Sequence, residues 1–161
     1  DIEKNKIRGD LGITYDLDVI RLINIFRNFG LYVSSVVLTR YHDNTAAKAF
    51  QARGVENLII TMGENGSFIA GKDGIHQTPC VKMPHVADPT AAGDSFVAAF
   101  CTGLTAGLPQ GEALAFASHT AAITVSRMGA MPSLPTVDEV QQLLRERDYR
   151  GFDPAELDAL K

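Results

Sequence analysis

Two short runs rich in β-branched and apolar residues, 31–41 (LYVSSVVLTRY) and 57–63 (NLIITMG), are separated by a segment of helical character. This alternation limits the possible folds more than any other feature. Two strands joined through a helix lie parallel in one sheet, since antiparallel neighbours need only a tight turn. The crossover is expected to be right-handed. Asp43 or Asn44 caps the intervening helix, Ala46, Ala47, Ala49, Phe50 and Ala52 form its body, and Gly54 stops it. The stretch SFIAGKDGIHQTPCV reads as a hairpin turning at Lys72, Asp73 and Gly74.

The remaining segments supply helices. Thr14 and Asp16 are N-cap candidates for a run of Val19, Ile20, Leu22, Ile23, Phe26 and Phe29, closed by Gly30. Residues 92–107 are small and apolar at helical spacing. Pro109 suits a helix start, with the helix running over 110–127. Thr136 and Glu139 have capping-box spacing, and Asp153-Pro154 opens a short last helix. The expected fold is one α/β domain over 1–161, three-layered and Rossmann-like. It has a mainly parallel sheet, helices on both faces and an antiparallel hairpin.

Composition narrows the function classes. With 45% hydrophobic and 21% charged residues in 161, the chain can bury a core. Lys+Arg 15 against Asp+Glu 19 gives a net charge of -4, which argues against nucleic-acid binding through the phosphate backbone. A small anion held by backbone N–H groups stays compatible with that charge. No apolar run approaches the ~20 residues that span a bilayer, so no membrane partner is expected. Cys80 and Cys101 lack metal-ligand spacing and read as reduced thiols of a cytoplasmic protein. Opening on Asp1 and not Met suggests a processed chain or a fragment.

Chemistry concentrates in Asp88-Pro89-Thr90-Ala91-Ala92-Gly93-Asp94-Ser95-Phe96. A loop of small residues runs straight into an apolar helix, whose first N–H groups and dipole favour an anion. Ala91, Ala92 and Gly93 have no bulk to block a phosphate. Asp94, in the same turn, is suited to accept a proton from a hydroxyl attacking a phosphoryl group. The plainer alternative is that Asp94 only complements the helix dipole and Gly93 only serves packing.

This stretch resembles the signature of the ribokinase-like (PfkB) carbohydrate kinases, D-T-x-(G/A)-A-G-D-x-F, with Pro89 in place of the usual Thr and Ala91 as the variant Ala. GVENLIITMGENGSFIAGKDGIHQTPCV resembles the family's preceding strand and hairpin, and FASHTAAITVSRMGAMPSLPTVDEV the segment that follows. Residues 50–147 are covered without a large gap. The resemblance implies ATP and Mg²⁺ as cofactors of an active enzyme. Asp94 becomes the catalytic base, and Ala91, Ala92 and Gly93 the anion hole for the γ-phosphate. Thr61, Gly63 and Gly66 become contacts to ATP phosphates and ribose. Ser118 falls where the family places an adenine-side residue, while its neighbour His119 reads as a partly buried helix histidine. Asp88, Thr90 and Ser133 fall near positions that hold a monovalent cation in many members.

Residues 1–51 resemble something else. Arg8-Gly9-Asp10-Leu11-Gly12-Ile13-Thr14-Tyr15-Asp16 matches a run found in a bacterial family of uncharacterised proteins. No function carries over from that segment, whose relatives place their phosphate loop further along. The sugar-binding residues, lid and N-x-x-E motif of the kinases are absent: none of Asn5, Asn24, Asn28, Asn44, Asn57 and Asn65 has Glu three residues on. The two resemblances meet inside one helix near 49–54, the pattern of an engineered chimera of two α/β proteins. The leading expectation is therefore a folded chimera without evolved activity that retains an ATP and anion half-site. The alternatives are an ATP-dependent carbohydrate kinase whose sugar pocket comes from a partner chain, and a plain nucleotide-binding module.

Overall fold

Leu58, Ile59 and Ile60 are all fully buried, so their strand is covered on both faces. A continuous apolar run is what such a position demands. The structure is a computed structural model that describes residues 6–8, 14–16, 35–39, 51–52, 55–71 and 74–160. The helices expected at 19–29 and 44–53 lie outside the described residues, apart from Gln51 and Ala52, and so does the hairpin tip at 72–73.

Strands β1 (Lys6–Arg8) and β2 (Thr14–Asp16) pair antiparallel, with Ile7 opposite Tyr15. A second sheet has the order β3 (Ser35–Thr39), β4 (Asn57–Thr61), β5 (Ser67–Gly71), β6 (Gly74–Thr78). The expected crossover pair is present: β3 and β4 are parallel, with Val37 opposite Ile59. The expected hairpin is present as β5 and β6, and β5 also pairs antiparallel with β4. Among the described strands, one of the three pairings in this sheet is parallel. Strand β6 forms an exposed edge among the described strands.

Three helices follow: α1 (Ala92–Thr105), α2 (Gln110–Val125) and α3 (Val137–Glu146). Phe96, Ala99, Phe100 and Gly103 form the buried stripe of α1 at helical spacing. Register sets Ile59 beside Ile69, and both join Phe96, Phe100 and Leu114 in the core. A Cβ at Gly103 would meet Leu108 Cδ1 at 3.2 Å and the Ala113 Cβ at 3.3 Å, so the missing side chain lets α1 approach α2.

Helix α2 has no polar face. Every residue from Ala113 to Thr120 is buried, because α2 lies on β5 and β6 while α1 and α3 pack against it from other sides. Its hydroxyls are satisfied internally. Ser118 Oγ donates to Leu114 O, Thr120 Oγ1 to Phe116 O and Thr124 Oγ1 to Thr120 O, at 2.9, 2.9 and 3.0 Å. Back-bonding to the preceding turn makes such residues tolerable in a buried helix. Pro109, expected as the first helical residue, takes the cap position instead; its ψ of 150° is extended. Helix α3 begins with the expected capping box between Thr136 and Glu139. The short last helix is a 3-10 segment, Pro154–Leu160.

Candidate functional site

The segment 86–95 is seated on the end of α2, where the Ala87 and Asp88 N–H groups both donate to Val125 O at 2.8 and 3.2 Å. Asp88 then organises the loop. Its Oδ1 accepts from Thr90 N at 2.9 Å and Thr90 Oγ1 at 2.6 Å, and its Oδ2 accepts from Gly129 N at 3.0 Å. The Thr90 hydroxyl, then the N–H groups of Thr90 and Gly129, hold this carboxyl below the usual carboxylate range. Two loops separated by 41 positions in sequence are thereby tied together.

Ala91 is left-handed, at φ 63° and ψ 5°, and stands at the N-cap of α1. A residue with a Cβ pays about 1–2 kcal/mol for that conformation. No side chain among the described residues caps α1. The Ala92 N–H donates to Pro89 O at 3.2 Å and the Ser95 N–H to Ala91 O at 2.9 Å. The Gly93 and Asp94 N–H groups have no acceptor among the described residues, and both residues are exposed. Of the expected N–H donors, Ala92's is thus engaged with the loop, while those of Gly93 and Asp94 are open. The Asp94 carboxylate also has no partner among the described residues.

The other anticipated residues fall into distinct environments. Thr61 is half-buried at the end of β4, next to a 3-10 turn, Gly63–Asn65. Gly63 has φ 57° with nothing within 4 Å of where a Cβ would stand, so it faces open space. Gly66 differs. At φ 86° its N–H donates to Gly63 O at 3.0 Å, and a Cβ there would collide with Thr78 O, Cys80 N and Pro79 C. Its role is to let the turn close on β6. Ser118 is buried with its proton committed to Leu114 O, which leaves it poorly placed to reach a ligand. His119 is a buried helix histidine, as read from sequence.

Asp88, Thr90 and Ser133 are only partly suited to a cation. Both Asp88 oxygens accept N–H or O–H groups, and Ser133, fully buried, donates its hydroxyl to Ala130 O at 2.6 Å. The main-chain carbonyls of Asp88 and Thr90 accept no hydrogen bond among the described residues. Among those residues no group of three or more His, Cys, Asp or Glu is placed to hold a metal ion. Sequence reading missed the supports of this site. Gly129 meets Asp88, and Arg127 pairs with Glu139 of α3 at 2.6 Å, which fixes the loop carrying Gly129. Asp88 and Thr90, two apart, carry a detectable turn signal; the contact to Gly129 has none.

Comparison with known proteins matches residues 39–137, more than half of the chain, to the model of the pfkB family carbohydrate kinases. The chain belongs to that family. Residues 1–70 also match a domain of unknown function, DUF1846, in its N-terminal part, so the two matches overlap over 39–70. Over 50 residues the chain is 60% identical to a UPF0371 protein of Clostridium botulinum, an alignment covering 31% of the chain and 10% of that relative. Ribokinase from Thermotoga maritima is similar at a TM-score of 0.66 and 30% identity, over 70% of the chain and 42% of the kinase. A putative ribokinase II from E. coli, in complex with ATP and Mg²⁺, has the same fold at a TM-score of 0.67 and 21% identity, over 81% of the chain and 45% of its own. The chain thus spans about a tenth of its curated relatives' length and under half of the kinases'. Among the described residues no helix is long and apolar enough to cross a membrane.

Proposed function

We propose that this pfkB-family chain carries the phosphoryl-donor side of an ATP-dependent carbohydrate kinase, with transfer to a sugar hydroxyl. The observation that supports this most is the start of α1, where the N–H groups of Gly93 and Asp94 and the Asp94 carboxylate have no partner among the described residues. The hydroxyl oxygen attacks the γ-phosphorus, the bond to the ADP oxygen breaks, and the hydroxyl proton passes to Asp94. The N–H groups stabilise charge on the transferring group, an effect worth about 10²–10³ in rate per donor in comparable anion holes. The left-handed Ala91 aims the first turn, and Asp88 holds the loop behind it through Thr90 and Gly129. Thr61 and Gly63 would contact the ATP phosphates and ribose, as the family resemblance implies. Mg²⁺, bound with the nucleotide, neutralises phosphate charge. A monovalent cation would be held through the Asp88 and Thr90 carbonyls and not through the engaged Asp88 carboxylate.

A second reading draws on the UPF0371-like residues at the start of the chain, adjoining the kinase segment. It takes the chain as a chimera that holds nucleotide or phosphate without transferring it. Titration with MgATP and a coupled assay with a panel of sugars separate the two. Sugar-dependent ADP formation that Asp94→Asn abolishes supports the kinase. Binding with no sugar-dependent turnover supports the second reading, and no binding of either ATP or phosphate defeats both.

A further inference from the structure

His119 is buried in α2 with Nδ1 2.8 Å from Ala115 O, and its ring meets Tyr149 edge to face, centroids 5.1 Å apart. Tyr149 in turn stacks edge to face on Phe152 at 5.6 Å. The turn after α3 that carries Tyr149 also carries Arg147, whose Nη2 donates to Lys82 O at 2.7 Å. The segment starting at Lys82 runs directly into the Asp88 loop. One short turn therefore holds α2 on one side and the approach to the candidate site on the other.

We propose that His119, Tyr149 and Arg147 form an acid-sensitive latch between the turn after α3 and the segment 82–88. The neutral ring fits: Nδ1–H donates to Ala115 O, and the rest lies against the Tyr149 ring. A proton on the second nitrogen would place a cation in a buried site that also faces the Arg147 guanidinium. The strain is relieved by withdrawing the ring from Tyr149 or Arg147 from Lys82, and either frees the approach to Asp88. Burial, more than Arg147, holds the His119 pKa below its usual value, so the latch's stabilisation is present above the unfolded pKa near 6.5 and is lost as pH falls below it. Glu112 faces Tyr149, and Glu156 faces Glu112. Burial, and next Glu156, raise the Glu112 pKa, so its protonation at lower pH stabilises the fold and opposes the histidine.

The test is hydrogen exchange of the 82–88 peptide in the full chain at about pH 7.5 and about pH 5.5, corrected for intrinsic rates, in the region where histidine titrates. The wild type is expected to show several-fold faster exchange at the lower pH. His119→Phe keeps the aromatic contact and should be flat. Arg147→Met should exchange fast at both pH values with little pH dependence, and it serves if His119→Phe does not fold. Equal acid responses in the wild type and His119→Phe, or protected 82–88 in Arg147→Met, would overturn the latch.

Discussion

Asp88 and Gly66 show how single residues set this site. The Asp88 carboxylate accepts three hydrogen bonds and joins the loop at 88–94 to the loop at 127–130. An Asn there offers only one acceptor oxygen and sets an NH₂ against a donor. Asp88→Asn should lower the melting temperature. Because folding depresses the Asp88 pKa, its stabilisation is present above the unfolded value of about 3.9 and is lost as pH falls through the lower folded value. Melting curves across the acid range should therefore decline less steeply in Asp88→Asn, and an unchanged slope would remove Asp88 from this role. The two glycines of the 63–66 turn should separate cleanly. Gly66→Ala drives a Cβ into Thr78 and Cys80 and should cost more than about 1 kcal/mol, read by denaturant unfolding. Gly63→Ala meets open space, so beyond its left-handed backbone cost it should act chiefly on MgATP affinity.

Elements differ in how far sequence disclosed them. The stripe of Phe96, Ala99, Phe100 and Gly103 in α1 was legible because one face is buried and the other is not. Helix α2 was placed from Pro109 as a helix start and not by periodicity, since burial along its length erases any stripe. Strands β4 to β6 were legible from β-branched runs and the glycine turn. The capping box of α3 was predicted from Thr136 and Glu139 alone and is present. Arg127 first, with the Thr136 N–H next, holds the Glu139 carboxyl below its ordinary range. Thr136→Ala should cost about 1 kcal/mol in chemical denaturation, and a change near zero would mean that α3 does not depend on this cap.

At the scale of the whole molecule, the loop from Asp88 to Asp94 stands out in sequence because small residues run straight into a helix start, and the anion site proposed there rests on that pattern. Its supports do not stand out, since Gly129 and Val125 reach it only through the tertiary fold. The burial of Ser118 likewise depends on tertiary packing, although its hydrogen bond to Leu114 O and that of the Ala92 N–H to Pro89 O are local. What the chain does as a whole rests on whether Asp94 has a hydroxyl to deprotonate. The direct measurement is ADP formation from MgATP with and without ribose or related sugars, in the wild type and in Asp94→Asn. With Asp94 as the base, a sugar-dependent rate is expected that Asp94→Asn lowers by about 10²–10⁴, the usual effect of losing a general base, with MgATP binding retained. A rate that no sugar changes, or a sugar-dependent rate that Asp94→Asn leaves intact, would contradict it.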